Sequence, residues 1–233
     1  MVDETVYSTF QLSAANSIPL LCIDHLMCEL AYRSEYPAAN MNSFVMRILS
    51  SLPPKERKKS IQFNLSSGTP VPILYSDILE LSRSLETNDT YLVFKFMEKY
   101  GKNIDATGSP LSFLTAIVRN VMTIACIDGA ILAGGRARNP QYDGYTEHVF
   151  NHCCRSAMMT LDGETAEQRL AILIYNVIDT PHQVRKYVEL ISRLTSEFAV
   201  GHFLDFNACN ESLVAYHEGR KKSELDLTRQ TPV

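Results

Sequence analysis

The sequence has no excess of positive charge. Its 22 lysines and arginines are outnumbered by 26 aspartates and glutamates, for a net charge of −4. A protein that binds nucleic acid over its whole surface has an isoelectric point well above the 5.9 of this chain. A role of that kind has to rest on a local patch. An uninterrupted apolar run is also lacking. The most apolar segment, residues 111–135, is broken by Arg119, Asn120 and Asp128. That leaves it short of the ~20 apolar residues of a membrane span, so a buried central helix is expected and no span. The start, MVDETVYSTFQL, is acidic and lacks the apolar core of a secretion signal. There is no internal repeat and no low-complexity tract.

Motifs of enzyme chemistry are absent too. There is no GxSxG elbow, and AGGRA (residues 133–137) lacks the spacing of a P-loop or GxGxxG and follows a helical pattern, not a strand. The expectation is a non-enzymatic protein without a cofactor. Six cysteines, at positions 22, 28, 126, 153, 154 and 209, lie mostly in apolar stretches of helical spacing. The chain is far longer than the small secreted scaffolds that depend on disulfides. Adjacent Cys153 and Cys154 bridge only with strain. Reduced, buried thiols are therefore expected, in a cytoplasmic protein or a virion.

What the sequence does have is helical periodicity. Hydrophobic residues make up 45% of 233, enough for one core or for two lobes of ~100 residues. Residues 1–17 read as an extended arm. Apolar spacing predicts a helix from Ile18 to about Arg33 and a second from Asn42 or Ser43 to Leu52, stopped by Pro53 and Pro54. The run KERKKSIQFNLSS reads as a short strand or as irregular chain, because Ile61, Phe63 and Leu65 alternate. Further helices are expected over 71–85 and 91–100, from Ser109-Pro110 through the apolar segment, and over 146–160, 165–178 and about 181–200. Gly134 or Gly135 would close the long apolar helix, Gly201 interrupts the last, and HFLDF makes a final apolar turn. From Asn207 the chain is polar and reads as a second arm. The predicted fold is thus all-α: an N-terminal arm (1–17), a multi-helix core (18–206) with a lobe boundary near 101–109, and a C-terminal arm (207–233).

Three groups of residues offer chemistry. His148 and His152 are four apart and share a helix face, with Cys153 next to them. Zinc accepts imidazole and thiolate, but Cys153 points away from the histidines on a helix, so no metal site is assigned. Cys22, His25 and Cys28 fan out over more than half of a helix circumference and read as core. The third group is cationic. Lys55, Arg57, Lys58 and Lys59 follow two prolines. Arg136 and Arg138 lie in the glycine loop, and Arg119 and Arg155 lie on flanking helices. Arginine matches phosphate oxygens with forked donors, and Tyr142 and Tyr145 beyond the loop suit stacking on bases. Lys55, Arg57, Lys58, Lys59, Arg119, Arg136, Arg138, Tyr142 and Arg155 are therefore the expected contacts to single-stranded RNA. The bland reading is solvated surface charge.

By architecture alone, a helical core with two arms and a cationic groove suggests self-assembling packaging of single-stranded nucleic acid, as in viral nucleoproteins and coat proteins. In that reading copies join through their arms. The alternatives are a helical interaction, regulatory or matrix-type protein without nucleic acid, and a helical enzyme built on a Cys/His site.

Overall fold

The structure, a computed structural model, describes residues 4–16, 20–22, 33, 38–67, 73–104, 108–126, 140–160, 163–179 and 185–230. Among them are ten α-helices and two three-residue strands. The order is α1 (Glu4–Ala15), β1 (Leu20–Cys22), β2 (Ala38–Asn40), α2 (Met41–Ser51), α3 (Pro54–Ser67), α4 (Tyr75–Ser82), α5 (Thr87–Tyr100), a 3-10 turn (Gly101–Asn103), α6 (Gly108–Cys126), α7 (Pro140–Met158), α8 (Ala166–Ile178), α9 (Arg185–Gly201) and α10 (Phe206–Gln230). The fold is all-α, as the periodicity predicts. The chain forms two compact units that divide between Asp77 and Ile78, within α4.

The N-terminal unit departs from the sequence reading at three points. The expected extended arm is largely helix, over Glu4–Ala15. Where a helix was expected from Ile18, Leu20–Cys22 is a strand, paired in parallel with Ala38–Asn40. Proline at 19 fixes φ near −65°, which suits an extended chain as well as a first helical turn, so local chemistry leaves the choice open. The KERKK run forms helix α3. Pro54 takes the first position, where its missing N–H costs nothing, and the Pro53 carbonyl accepts from Glu56 N (3.0 Å) and Arg57 N (3.1 Å). The apparent alternation of Ile61, Phe63 and Leu65 is incidental. Ile61 is buried with Asn64, three residues on, while Phe63 is exposed.

In the C-terminal unit α7 is the hub, packing against α5, α6, α8 and α9. Its buried face is Val149, Phe150, Cys153, Cys154 and Ala157, the spacing of one helical stripe. Helix α6 buries nine of its residues, among them Leu114, Ile117, Val118, Val121 and Met122. Among the described residues it is the one helix long and apolar enough to cross a membrane, and half of it is buried inside the fold. Within the stretch 101–109, where a lobe boundary was expected, Gly101–Asn103 form a 3-10 turn against α7. Ser156 Oγ lies 2.7 Å from the Gly101 carbonyl, and a Cβ at 101 would meet that hydroxyl at 3.0 Å. A larger residue there would push the Ser156 hydroxyl and the Met97 methyl aside by a few tenths of an ångström.

Helix α8 starts on a capping box. Thr165 Oγ1 accepts from Gln168 N (3.2 Å) and Gln168 Oε1 accepts from Thr165 N (2.8 Å). Its other end gathers three neighbours. Arg119 of α6 donates to the carbonyls of Asn176 and Asp179, the latter at 2.9 Å. The Tyr187 hydroxyl of α9 donates to the Val177 carbonyl (3.1 Å). Arg220 of α10 reaches Asp179 Oδ2 at 3.4 Å. The last carbonyls of a helix have no partner of their own, and cations are favoured there.

The expected C-terminal arm is helix α10, docked along α8. Tyr216 sits edge-on to Tyr175 at 5.1 Å, His217 Nδ1 is 3.2 Å from the Tyr175 hydroxyl, and Arg220 stacks over the same ring at 5.6 Å. The contacts are polar and aromatic, so a search for apolar stripes passes over them.

Between α9 and α10 the chain turns on Phe203, at φ 56° the one described non-glycine residue with positive φ. The Leu204 N–H donates to the Ala199 carbonyl (2.9 Å) and the Phe203 N–H to the Val200 carbonyl (3.3 Å), the two bonds of a Schellman motif. Phe203 therefore occupies the position where glycine is usual. The helix ends at Gly201, where the stop was expected, and the left-handed position beyond it falls on a phenylalanine that is 97% exposed.

Two stability outcomes follow. Arg119→Met strips the end of α8 of its donors and should cost about 1–3 kcal/mol, seen as a fall of several degrees in the midpoint of calorimetric unfolding. An unchanged midpoint would mean that solvent serves those carbonyls equally well. Phe203→Gly removes a left-handed penalty of about 1 kcal/mol and loses no buried surface, so its midpoint should rise by ~2–4 °C.

Candidate nucleic-acid interface

Helix α5 turns one face into the core through Leu92, Val93, Phe96 and Met97. Tyr91, Phe94 and Lys95 lie off that face, at the surface or half-buried. Opposite them α7 presents Tyr145, His148 and His152, at the three- and four-residue spacing that keeps side chains on one face. The two sets meet. Tyr91 lies 5.2 Å from Tyr145 between ring centroids, and Phe94 stacks on Tyr145 at 5.9 Å and 16°. Phe94 also contacts His148 (5.1 Å) and His152 (5.8 Å). The Lys95 ammonium stands 5.1 Å from the Phe94 ring and 5.9 Å from Tyr91, held by Glu98 at 2.7 Å. The hydrogen bond to Glu98 raises the Lys95 pKa and keeps it charged. The result is a strip of five rings with one cation on it. Tyr142 falls within α7 one turn before Tyr145.

No protein-family model, curated protein or solved structure matches the chain.

The cations expected to contact nucleic acid have varied placements. Arg57 is committed inside the N-terminal unit: Nε donates to Asp77 Oδ1 at 2.8 Å and Nη1 to the Leu52 carbonyl at 2.6 Å. Arg119 is committed to the end of α8. Both guanidiniums are engaged within the fold, which leaves fewer of their donors for phosphate. Lys55 is exposed and Lys58 half-buried on α3, and Lys59 pairs with Glu56 at 3.0 Å. Arg155 is exposed on α7, with Nε donating to His202 Nε2 at 3.1 Å. Arg136 and Arg138 lie outside the described residues, as do Gly134 and Gly135.

The suggested metal and thiol chemistry meets a different geometry. His148 and His152 face Phe94, whereas Cys153 is fully buried in the core. Among the described residues no three His, Cys, Asp or Glu side chains gather as a metal site. Burial pushes the thiols of Cys153 and Cys154 up, so both stay protonated. Of Cys22, His25 and Cys28, only Cys22 falls in a described element, β1.

Sequence reasoning found Tyr145 but missed Tyr91, Phe94, Lys95 and the place of the histidines. The signal was present as ring spacings, 91/94 on one helix and 145/148/152 on another. Nothing in either spacing shows that these helices pair.

The strip has a pH signature. The His152 pKa is lowered from 6.5, first by burial and then by Arg155 and His148, with Glu98 opposing. The unfolded chain therefore takes up this proton more readily than the folded one. Stability is full above about pH 6.5 and falls as pH drops from there towards the folded pKa. His152→Gln should flatten that part of the profile of midpoint against pH, and an unchanged slope would assign it to other groups.

Proposed function

We propose that this protein is a non-enzymatic packaging protein that binds single-stranded nucleic acid, with the α5–α7 ring strip as its base-stacking platform. The observation that carries the reading is the alignment of Tyr91, Phe94, Tyr145, His148 and His152 around Lys95 at the surface of one helix pair. Every base has a π-face, so such a strip takes up single strands with little sequence preference, each stacked base adding ~1–3 kcal/mol. A duplex hides those faces. Lys95 supplies attraction to phosphate. The protonated, buried Cys153 and Cys154 are poor nucleophiles, which favours a binding role over a Cys/His enzyme.

This version relies on stacking more than charge. Two of the expected phosphate contacts, Arg57 and Arg119, are occupied internally, and the chain is acidic overall. Affinity should fall with salt with a slope of roughly −0.7 per neutralised phosphate, and few phosphates are neutralised. Fluorescence anisotropy with a labelled single-stranded RNA is the test. The double variant Tyr91→Leu/Tyr145→Leu keeps apolar contact between the helices but loses two stacking partners. It should bind at least about 30-fold more weakly, with the salt slope unchanged. Parent protein that does not bind, or a double variant that binds like the parent, would leave the regulatory or matrix-type reading in its place.

A further inference from the structure

The ring strip of α7 does not end at His152. Tyr145, His148, His152 and Arg155 follow one another at intervals of three, four and three residues, so Arg155 continues the stripe by one more turn. It lies close enough to His152 for its charge to act on that ring. From Tyr145 to Arg155 is about 15 Å of helix at ~1.5 Å per residue.

The partner of Arg155 is not an acid. Arg57, Arg169, Arg185, Arg193 and Arg220 are each matched by a carboxylate. Arg155 is matched by an imidazole, with Nε donating to His202 Nε2 at 3.1 Å. A ring nitrogen that accepts carries no proton, so the proton of His202 is on Nδ1, where the Phe198 carbonyl accepts it at 2.9 Å. The His202 ring is fixed a second time by stacking on buried Phe198, at 4.0 Å and 25°. A neutral partner orients the guanidinium without cancelling its charge. Arg155 is exposed, and among the described residues its two terminal nitrogens have no hydrogen-bond partner. Those nitrogens form the fork that suits phosphate oxygens. Two carboxylates border the region. Glu98, which acts on His152, is paired with Lys95 at 2.7 Å. Asp205, three residues past His202, is exposed but forms no ion pair with Arg155, and its Oδ1 accepts from Asn207 N (2.8 Å) and Ala208 N (3.3 Å).

We infer that Arg155 takes a backbone phosphate of the bound strand at the end of the ring strip, and that His202 is its positioning residue. The inference rests on the reading of the strip as a single-strand platform, and it fixes where on that platform the strand is gripped. Bases stack from the Tyr91–Tyr145 end, and the phosphate is held at the end where α7 meets the turn after α9. A stacked strand rises ~3.4 Å per nucleotide, so the stretch between the two ends spans about four bases.

Salt titrations followed by fluorescence anisotropy test it on the full-length protein. The probes are a labelled single-stranded RNA and an abasic oligonucleotide of equal length, which has phosphates but no bases. Arg155→Gln should weaken RNA binding about tenfold at low salt. It should also make the salt slope shallower by about 0.7, the share of one phosphate on a single strand. The same variant should weaken binding of the abasic chain, whereas Tyr91→Leu/Tyr145→Leu should leave that binding unchanged, so the phosphate contact and the stacking platform fail separately. His202→Leu keeps Arg155 but removes its acceptor, and should lose slope as Arg155→Gln does. His202→Gln, with an Oε1 that accepts from Nε, should restore the slope. A merely structural role for His202 would lower affinity and leave the slope intact. The inference is overturned by an Arg155→Gln protein with the parent's slope, by a His202→Leu protein with the parent's slope, or by a parent that binds neither chain.

Discussion

Helix ends that meet other helices must have their last carbonyls satisfied, and in this protein arginine does much of that. Arg119 serves the end of α8. Arg169, 4% exposed, directs Nε to the Ala157 carbonyl near the end of α7 at 3.4 Å, with Nη1 on Glu164. Arg57 serves the Leu52 carbonyl just past α2. In each case the guanidinium forms hydrogen bonds and also places positive charge against the negative end of a helix. The arrangement at α8 matters most, because residues from α6, α9 and α10 converge on it and none of the three joins is made by apolar contact alone.

With its helix ends held in this way, α7 can serve two environments. One face carries Phe150, Cys153 and Cys154 fully buried, and its edge carries Tyr145, His148 and His152 against Phe94. Three of the five rings are therefore mounted on a helix that packs against four others. A stacking platform on such a helix is pre-ordered, and binding does not have to supply the entropy cost of arranging it. The Phe203 corner is different in kind: a left-handed, exposed turn at the junction of two helices.

Much of the fold was legible from residue order. Helices α6 to α9 follow from apolar spacing, and the helix expected over 165–178 is found as Ala166–Ile178. The parts that were not legible share a cause. Helix α10 docks through Tyr216, His217 and Arg220 on Tyr175, contacts that periodicity of apolar residues does not register. Helix α1 and strand β1 lie in stretches whose local preference is weak, where tertiary pairing decides. Of the candidate site, Tyr145 was visible as an aromatic near a cationic loop, but Phe94 was one aromatic among ten phenylalanines until its helix met α7.

The sequence by itself determined the class of the fold, because a 3.6-residue apolar period and well-placed prolines leave helix as the only structure that buries those side chains together. It also determined that positive charge is not in excess, and therefore that contact with nucleic acid would have to rest on a local patch. Only the tertiary structure decided which arginines remain available and which close helix ends, since an arginine's role depends on carbonyls some 60 residues away, as with Arg119 and Asp179. It alone decided that two half-strips of rings become one, and that a phenylalanine takes the place of glycine at a helix stop. Each of these depends on what lies across a helix interface, and residue order carries no record of that distance.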